Sequence, residues 1–94
     1  MIQEAISLPL DGVKVLELGT MITAPYAAML LSELGAKVIK VENPDGGDPF
    51  RATGGGRYGP NFVAYNHGKR SISLDLKAED GKQAFRKLLE WSDV

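Results

Sequence analysis

Cysteine is absent from the 94 residues of this chain, and histidine occurs once, at His67. There is accordingly no disulfide frame, no thiolate metal site and no cysteine nucleophile. One histidine cannot supply a His-rich metal cluster either. An excess of one charge is also lacking: 11 Lys and Arg stand against 12 Asp and Glu, a formal net charge of −1. That balance gives no long-range pull toward nucleic acid or an anionic membrane. The first ten residues carry Glu4 and no Lys or Arg, which fits neither a secretory signal nor a mitochondrial presequence. The longest apolar run, Met21 to Leu31, is interrupted by Thr23 and Pro25 and falls short of the roughly 20 residues that span a bilayer. A soluble, cytoplasmic protein is expected, with no nucleic-acid or membrane partner and no metal.

The chain does have an ordinary globular composition, 44% hydrophobic and 24% charged, which argues against disorder. Val13 to Leu18 is β-branched and aliphatic between Gly12 and Gly19, the pattern of a strand. Thr23 is placed to cap a helix with Pro25 in its first turn. Tyr26 to Leu34 continues it to Gly35, a residue suited to a left-handed cap. Lys37 to Glu42 reads as the next strand, so this strand–helix–strand unit implies parallel pairing. From Asn43 to Arg70 periodicity is lost among Pro44, Gly46, Gly47, Pro49, Gly54, Gly55, Gly56, Gly59 and Pro60. Ser71 to Leu76 then alternates as a strand with one wet and one buried face. A final helix is expected over Glu79 to Ser92, with Ala84, Phe85, Leu88 and Leu89 on one face and Glu79 and Asp80 at the positive end of its dipole.

Between Pro25 and Gly35 only Ser32 and Glu33 are strongly polar, so that helix should be buried nearly all round. Three strands and one other helix cannot easily cover it. Ser92-Asp93-Val94 also falls where an alternating α/β pattern would enter another strand. Residues 1–94 are therefore expected to be the N-terminal segment of a larger domain. Alone, the chain is expected to self-associate or fold marginally, and to be inactive as an enzyme.

Open α/β sheets bind ligands beyond the carboxyl ends of their strands, here Gly19–Thr23, Asn43–Gly47 and Leu76–Ala78. Glu42 stands where dinucleotide folds place a ribose-binding acid, but it also fits a solvated strand end. The turn after Leu18 reads Gly-Thr-Met-Ile-Thr-Ala rather than G-x-G-x-x-G, so a nicotinamide site is not supported. Gly54-Gly55-Gly56 reads as a linker, since no strand precedes it and no helix follows. His67 has no second ligand at metal spacing. Lys69-Arg70 reads as a surface feature, and Lys82, Arg86 and Lys87 as a solvated helix face.

Several stretches together resemble the N-terminal region of the class III CoA-transferases, which include formyl-CoA transferases, carnitine CoA-transferases and α-methylacyl-CoA racemases. They are Leu8 to Leu18, Ala24-Pro25, Leu34 to Glu42, Pro44 to Pro49 with Arg51, and above all Asn66-His67-Gly68-Lys69-Arg70-Ser71-Ile72-Ser73-Leu74-Asp75-Leu76-Lys77, followed by Gly81 and Ser92-Asp93-Val94. The resemblance implies the N-terminal part of a Rossmann-like parallel-sheet α/β domain (β-α-β, a long Gly/Pro-rich loop, then β-α) in an interlocked homodimer. It implies transfer of CoA between carboxylic acids through an aspartyl-acyl anhydride, with the aspartate downstream of this segment. The racemases instead move a proton with His and Asp, again downstream, so no residue here is catalytic. A non-catalytic nucleotide-binding or dimer-interface module is a further alternative. CoA or acyl-CoA is implied as substrate, with a carboxylic acid, and no tightly bound cofactor.

For the CoA site the resemblance points to Met21, Ile22 and Thr23 after the first strand, and to Leu74, Asp75, Leu76 and Lys77 at the adenosine end. Asn43 stands where formyl-CoA transferases and racemases carry an arginine for the CoA phosphates, so one charge-assisted contact is missing. Lys77 and Arg51 are candidates to replace that charge. Thr23-Ala24-Pro25 stands in place of the more usual Ala-Gly-Pro, adding bulk beside the thiol arm.

Overall fold

A computed structural model describes residues 7–54 and 56–94. The first-ten-residue reading therefore lies partly outside the described residues, as does Gly55 of the proposed linker. Strand β1 is Lys14–Glu17, helix α1 Thr23–Glu33 and strand β2 Lys37–Glu42. Helix α2 is Pro60–Asn66, strand β3 Arg70–Ser73 and helix α3 Glu79–Trp91. The three strands form one sheet in the order β1-β2-β3, and both pairs are parallel, as the strand–helix–strand pattern implies. Lys14 pairs with Lys37 and Glu17 with Lys40, while Ile39 pairs with Arg70 and Glu42 with Ser73. On the other edge of β1, Val94 N–H donates to Lys14 O at 3.1 Å and Leu16 N–H donates to Val94 O at 2.9 Å. Those two bonds set Val94 beside Val15 as a parallel partner would be.

The core lies between α1 and the β1–β2 pair: Val15, Ala28, Ala36 and Val38 are buried, with Leu10, Val13 and Leu31 packed against them. Helix α1 ends in a Schellman motif, in which Gly35 N–H bonds to Ser32 O and Ala36 N–H to Leu31 O, both at 3.0 Å. Gly35 takes φ +108° there, a conformation that favours glycine over any residue with a Cβ. The start of α1 differs from expectation. Thr23 is its first residue, not its cap; Ile22 holds the cap position and makes no side-chain bond.

As expected, the described strands and helices do not cover the apolar α1 all round. Pro25, Ala28 and Met29 are buried, but Tyr26, Leu30 and Leu34 are exposed, because the sheet and α2 cover one side only. Strand β3 is shorter than the expected Ser71–Leu76, and all four of its residues are exposed. Its backbone leaves the sheet at Leu74, whose N–H makes a last bond to Glu42 O at 3.1 Å. Helix α3 half-buries Ala84, Phe85 and Leu88 but leaves Leu89 exposed. Lys82, Arg86 and Lys87 are exposed, as read.

The stretch from Asn43 to Arg70 holds more structure than its composition suggests. Asp48 caps a 3₁₀ turn, Pro49–Arg51, and Pro60 opens α2 at the position where a missing N–H costs nothing. Phe50 and Phe62 are buried. Tyr65 stands edge-on to Tyr26 at 5.8 Å and tilted against Phe50 at 5.7 Å. These aromatics bind the loop to α1. No helix among the described residues is long and apolar enough to cross a membrane.

Candidate functional site

The carboxyl ends of the three strands open onto one cleft of about 670 Å³. From the β1 turn it takes Leu18, Gly19 and Thr20; from the β2 end, Glu42 to Asp45; from the β3 end, Leu74, Asp75, Leu76 and Lys77. Five of the eight residues assigned from the sequence thus line this cleft: Asn43, Leu74, Asp75, Leu76 and Lys77. Met21, Ile22 and Thr23 do not line this cleft; they continue the β1 turn with exposed side chains. Met21 has φ +67°, a left-handed conformation uncommon outside glycine.

The Leu74–Lys77 segment is shaped by its own turn. Asp75 Oδ1 accepts from Lys77 N–H at 3.0 Å, and Asp75 O accepts from Ala78 N–H at 3.1 Å. Gly81, in the first turn of α3, rests directly on this turn: a Cβ there would come within 1.9 Å of Asp75 O. Asn43 Oδ1 accepts from Asp45 N–H at 2.9 Å and so shapes the β2 exit. Among the described residues no carboxylate pairs with Lys77, so its ammonium is available to an anionic ligand.

Arg51 is not available in that way, which corrects the expectation that it might replace the missing phosphate contact. Its guanidinium is engaged side-on by Glu42, with Nε to Oε1 at 2.7 Å and Nη2 to Oε2 at 2.6 Å. It also lies over the Phe62 ring at 4.0 Å. Glu42 is neither a solvated strand end nor free for a ribose: it is buried and accepts further bonds from Ser71 Oγ and from Asp48 N–H at 2.8 Å. Burial alone would raise its pKa, but the Arg51, Ser71 and Asp48 donors outweigh that and hold it at about 2. The stabilisation is therefore fully present above the ordinary carboxylate value of 4.5 and is lost as pH falls toward 2. Stability measured by urea unfolding should drop by about 3 kcal/mol between pH 5 and pH 2, from this group alone. In a Glu42→Gln variant that portion of the slope should vanish.

Four more charges have buried side chains here, and one of them, Asp48, lines the cleft. Lys40 is 1% exposed, and its Nζ donates to Glu17 Oε2 at 2.9 Å and Gly19 O at 3.0 Å, with Asp48 Oδ2 at 2.9 Å. Lys69 Nζ meets Glu17 Oε1 at 2.6 Å, Asn66 Oδ1 at 2.7 Å and Pro25 O at 2.9 Å. Each ammonium thus has two hydrogen-bond acceptors and one further carboxylate oxygen at ion-pair distance. Burial lowers the Lys69 pKa, with Glu17 opposing that shift. Asp48 is held below its ordinary value: burial would raise it, but bonds from Phe50 N–H, Lys40 and Met21 N–H prevail. Sequence reasoning had Lys69 on the surface and missed Lys40, Glu17 and Asp48. The available signal was parity: Glu17 follows Val13 and Val15, and Lys40 follows Val38, at the two-residue spacing of one buried face.

His67 is exposed, with Nε2 3.0 Å from Glu33 Oε1. That pair joins α2 to the end of α1, far from the cleft wall. Among the described residues no group of three or more His, Asp or Glu is placed to hold a metal ion.

Comparison with known proteins gives this geometry a context. The chain is 42% identical over 100 residues to a succinate–glutarate CoA-transferase of Agrobacterium fabrum, covering 92% of this chain and 24% of that protein. It is 38% identical over 89 residues to the human succinyl-CoA:glutarate CoA-transferase, covering 92% of this chain and 20% of that protein. A crystal structure of a CaiB/BaiF family protein from Brucella suis superposes with a TM-score of 0.87 at 41% identity, over 94% of this chain and 25% of that one. The chain thus spans between a fifth and a quarter of the length of these relatives. Residues 10–94 match the sequence profile of CoA-transferase family III, and the chain belongs to that family.

Proposed function

We propose that these residues form the CoA-binding N-terminal segment of the large domain of a cytoplasmic enzyme that moves CoA between carboxylic acids. The observation that carries this reading is the cleft at the strand carboxyl ends, where Leu74, Asp75, Leu76 and Lys77 face the β2 exit across a space of about 670 Å³. Leu74 and Leu76 supply apolar surface for an adenine ring. Asp75 supplies a carboxylate for polar groups of the nucleoside, and Lys77 a cation for a phosphate. Asn43 lacks the charge to share that task, so Lys77 becomes the principal phosphate anchor. Met21, Ile22 and Thr23, which continue the β1 turn outside the cleft lining, are assigned to the thiol arm.

The chemistry itself is assigned to an aspartate in the part of the relatives' length that this chain does not span. That group would attack the thioester carbonyl, forming an acyl anhydride and releasing CoA as the thiolate leaving group. The relatives' names, all transferases of succinyl-CoA or succinate, support transfer over racemisation. An interlocked homodimer completes the reading, and no tightly bound cofactor is invoked.

Calorimetric titration of the chain with CoA tests it. CoA should bind, and Lys77→Ala should weaken binding about tenfold, the scale of one hydrogen bond to a charged group. The loss should shrink when dephosphorylated fragments of CoA replace CoA. Binding unaffected by Lys77→Ala would remove the phosphate assignment.

A further inference from the structure

Among the described residues the turn that follows β1 makes no hydrogen bond with side chains of its own. Met21 is left-handed at φ +67°, a conformation that costs a residue with a Cβ about 1 kcal/mol or more. Ile22, at the cap of α1, offers no side-chain acceptor to the helix. The turn is also folded tightly on itself, since a Cβ on Gly19 would lie 2.2 Å from that of Ala24. What holds it comes from elsewhere in the chain. Lys40 takes Gly19 O at 3.0 Å, Asp48 Oδ1 accepts from Met21 N–H at 3.1 Å, and Lys69 takes Pro25 O at 2.9 Å. Three backbone atoms, two in the turn and one in the first turn of α1, are each gripped by a different buried ion.

Glu17 links the grips. Its two carboxylate oxygens meet Lys40 and Lys69 at 2.9 and 2.6 Å, so two ammonium groups and two carboxylates close a neutral set. Stability does not require such a set, because well-packed apolar residues of the same volume often serve a fold as well or better. Three of its members hold main-chain atoms in or just after the β1 turn, and that turn gives Gly19 and Thr20 to the cleft wall, which Asp48 also lines.

We propose that Lys40, Asp48 and Lys69, with Glu17 as their shared counter-ion, are positioning residues that set the conformation of the Gly19–Pro25 turn for CoA. The proposal rests on the CoA reading above. They act by holding main-chain atoms.

Two charge-balanced double variants test it. Lys40→Met with Asp48→Leu removes one cation and one anion together with the acceptor for Met21 N–H. Lys40→Met with Asp48→Asn removes the same charges and keeps an Oδ1 acceptor. Amide hydrogen exchange should show Met21 N–H opening at least about tenfold faster in the leucine pair, with Val15 and Val38 in the core still protected. CoA affinity should fall about tenfold in parallel. The asparagine pair should recover most of both. The proposal is overturned if Met21 protection is the same in both pairs, or if both pairs bind CoA as the unmodified chain does. A chain that takes up no CoA before any substitution sinks the CoA reading instead; the Met21 contrast, if present, then upholds the hold on the turn by itself.

Discussion

Lys40→Met alone should destabilise the chain by about 3–5 kcal/mol, because it strands buried carboxylates without their cation. Asp48 Oδ2 would lose the ammonium at 2.9 Å, and Glu17 would keep only Lys69. Among the described residues neither Asp48 Oδ2 nor Glu17 Oε1 has a hydrogen-bond partner, and Asp48 would keep only the Phe50 and Met21 N–H groups on Oδ1. The loss is a large share of the roughly 5–15 kcal/mol by which a typical domain is stable. Adding Asp48→Leu should return much of that loss, since the second change removes the orphaned charge. Chemical denaturation of the two single variants and the double gives the coupling directly. Simple additivity of the two losses would show that the ions act independently and that their network has been misread.

Gly81→Ala should also destabilise, against the usual expectation for a helix. In an unobstructed helix interior alanine is worth about 0.8–1.0 kcal/mol over glycine. Here its Cβ would lie 1.9 Å from Asp75 O and 2.7 Å from the Asp75 carbonyl carbon. Both are main-chain atoms, so relief requires the start of α3 and the Leu74–Lys77 turn to separate. The net loss should reach the upper part of the roughly 1–3 kcal/mol typical of overpacking. Because the displaced turn carries Lys77, CoA affinity should fall further than the loss of stability explains. Thermal melts and CoA titration of the same variant check both parts. A higher melting temperature would mean that the first turn of α3 stands farther from Asp75 than the structure has it.

These effects could be argued only in part from the sequence, and the division has physical causes. Strand β2 was legible to the residue because Lys37 to Glu42 lies between a helix-ending glycine and a proline-bearing turn. Helix α3 was legible because its charged and apolar residues separate at helical spacing. Helix α2 was hidden by the glycines and prolines around it, although Gly59-Pro60 is itself a helix-opening pair. Strand β3 was over-extended because Leu74 and Leu76 continue its alternation, whereas the Asp75 turn takes the backbone out of the sheet.

The candidate site divides in the same way. The Leu74–Lys77 wall could be assigned by resemblance, and the structure brings it to Asn43. The supporting ions could not, since lysines and acids in a short sequence are ordinarily solvent-facing. Burial of Lys40 becomes evident only when β1 and β2 are paired and Glu17 is set against it. The fate of Arg51 was hidden for the same reason: its partner Glu42 lies nine residues back and faces it only after the intervening loop has turned.

The Glu17–Lys40 pair also bears on how the sheet chooses its alignment. A parallel strand displaced by one residue turns each side chain to the opposite face. For β2 that would bring Ile39 or Val41 opposite Glu17 and send the ammonium to the other side. A displacement by two keeps the faces but sets Glu42 or Val38 there, leaving a carboxylate against a carboxylate or against a valine. Apolar residues alone would discriminate poorly in a strand as uniform as Val-Ile-Lys-Val. One buried charge in the middle of β2 makes every neighbouring alignment electrostatically wrong, so the lysine selects among sheets as well as stabilising one.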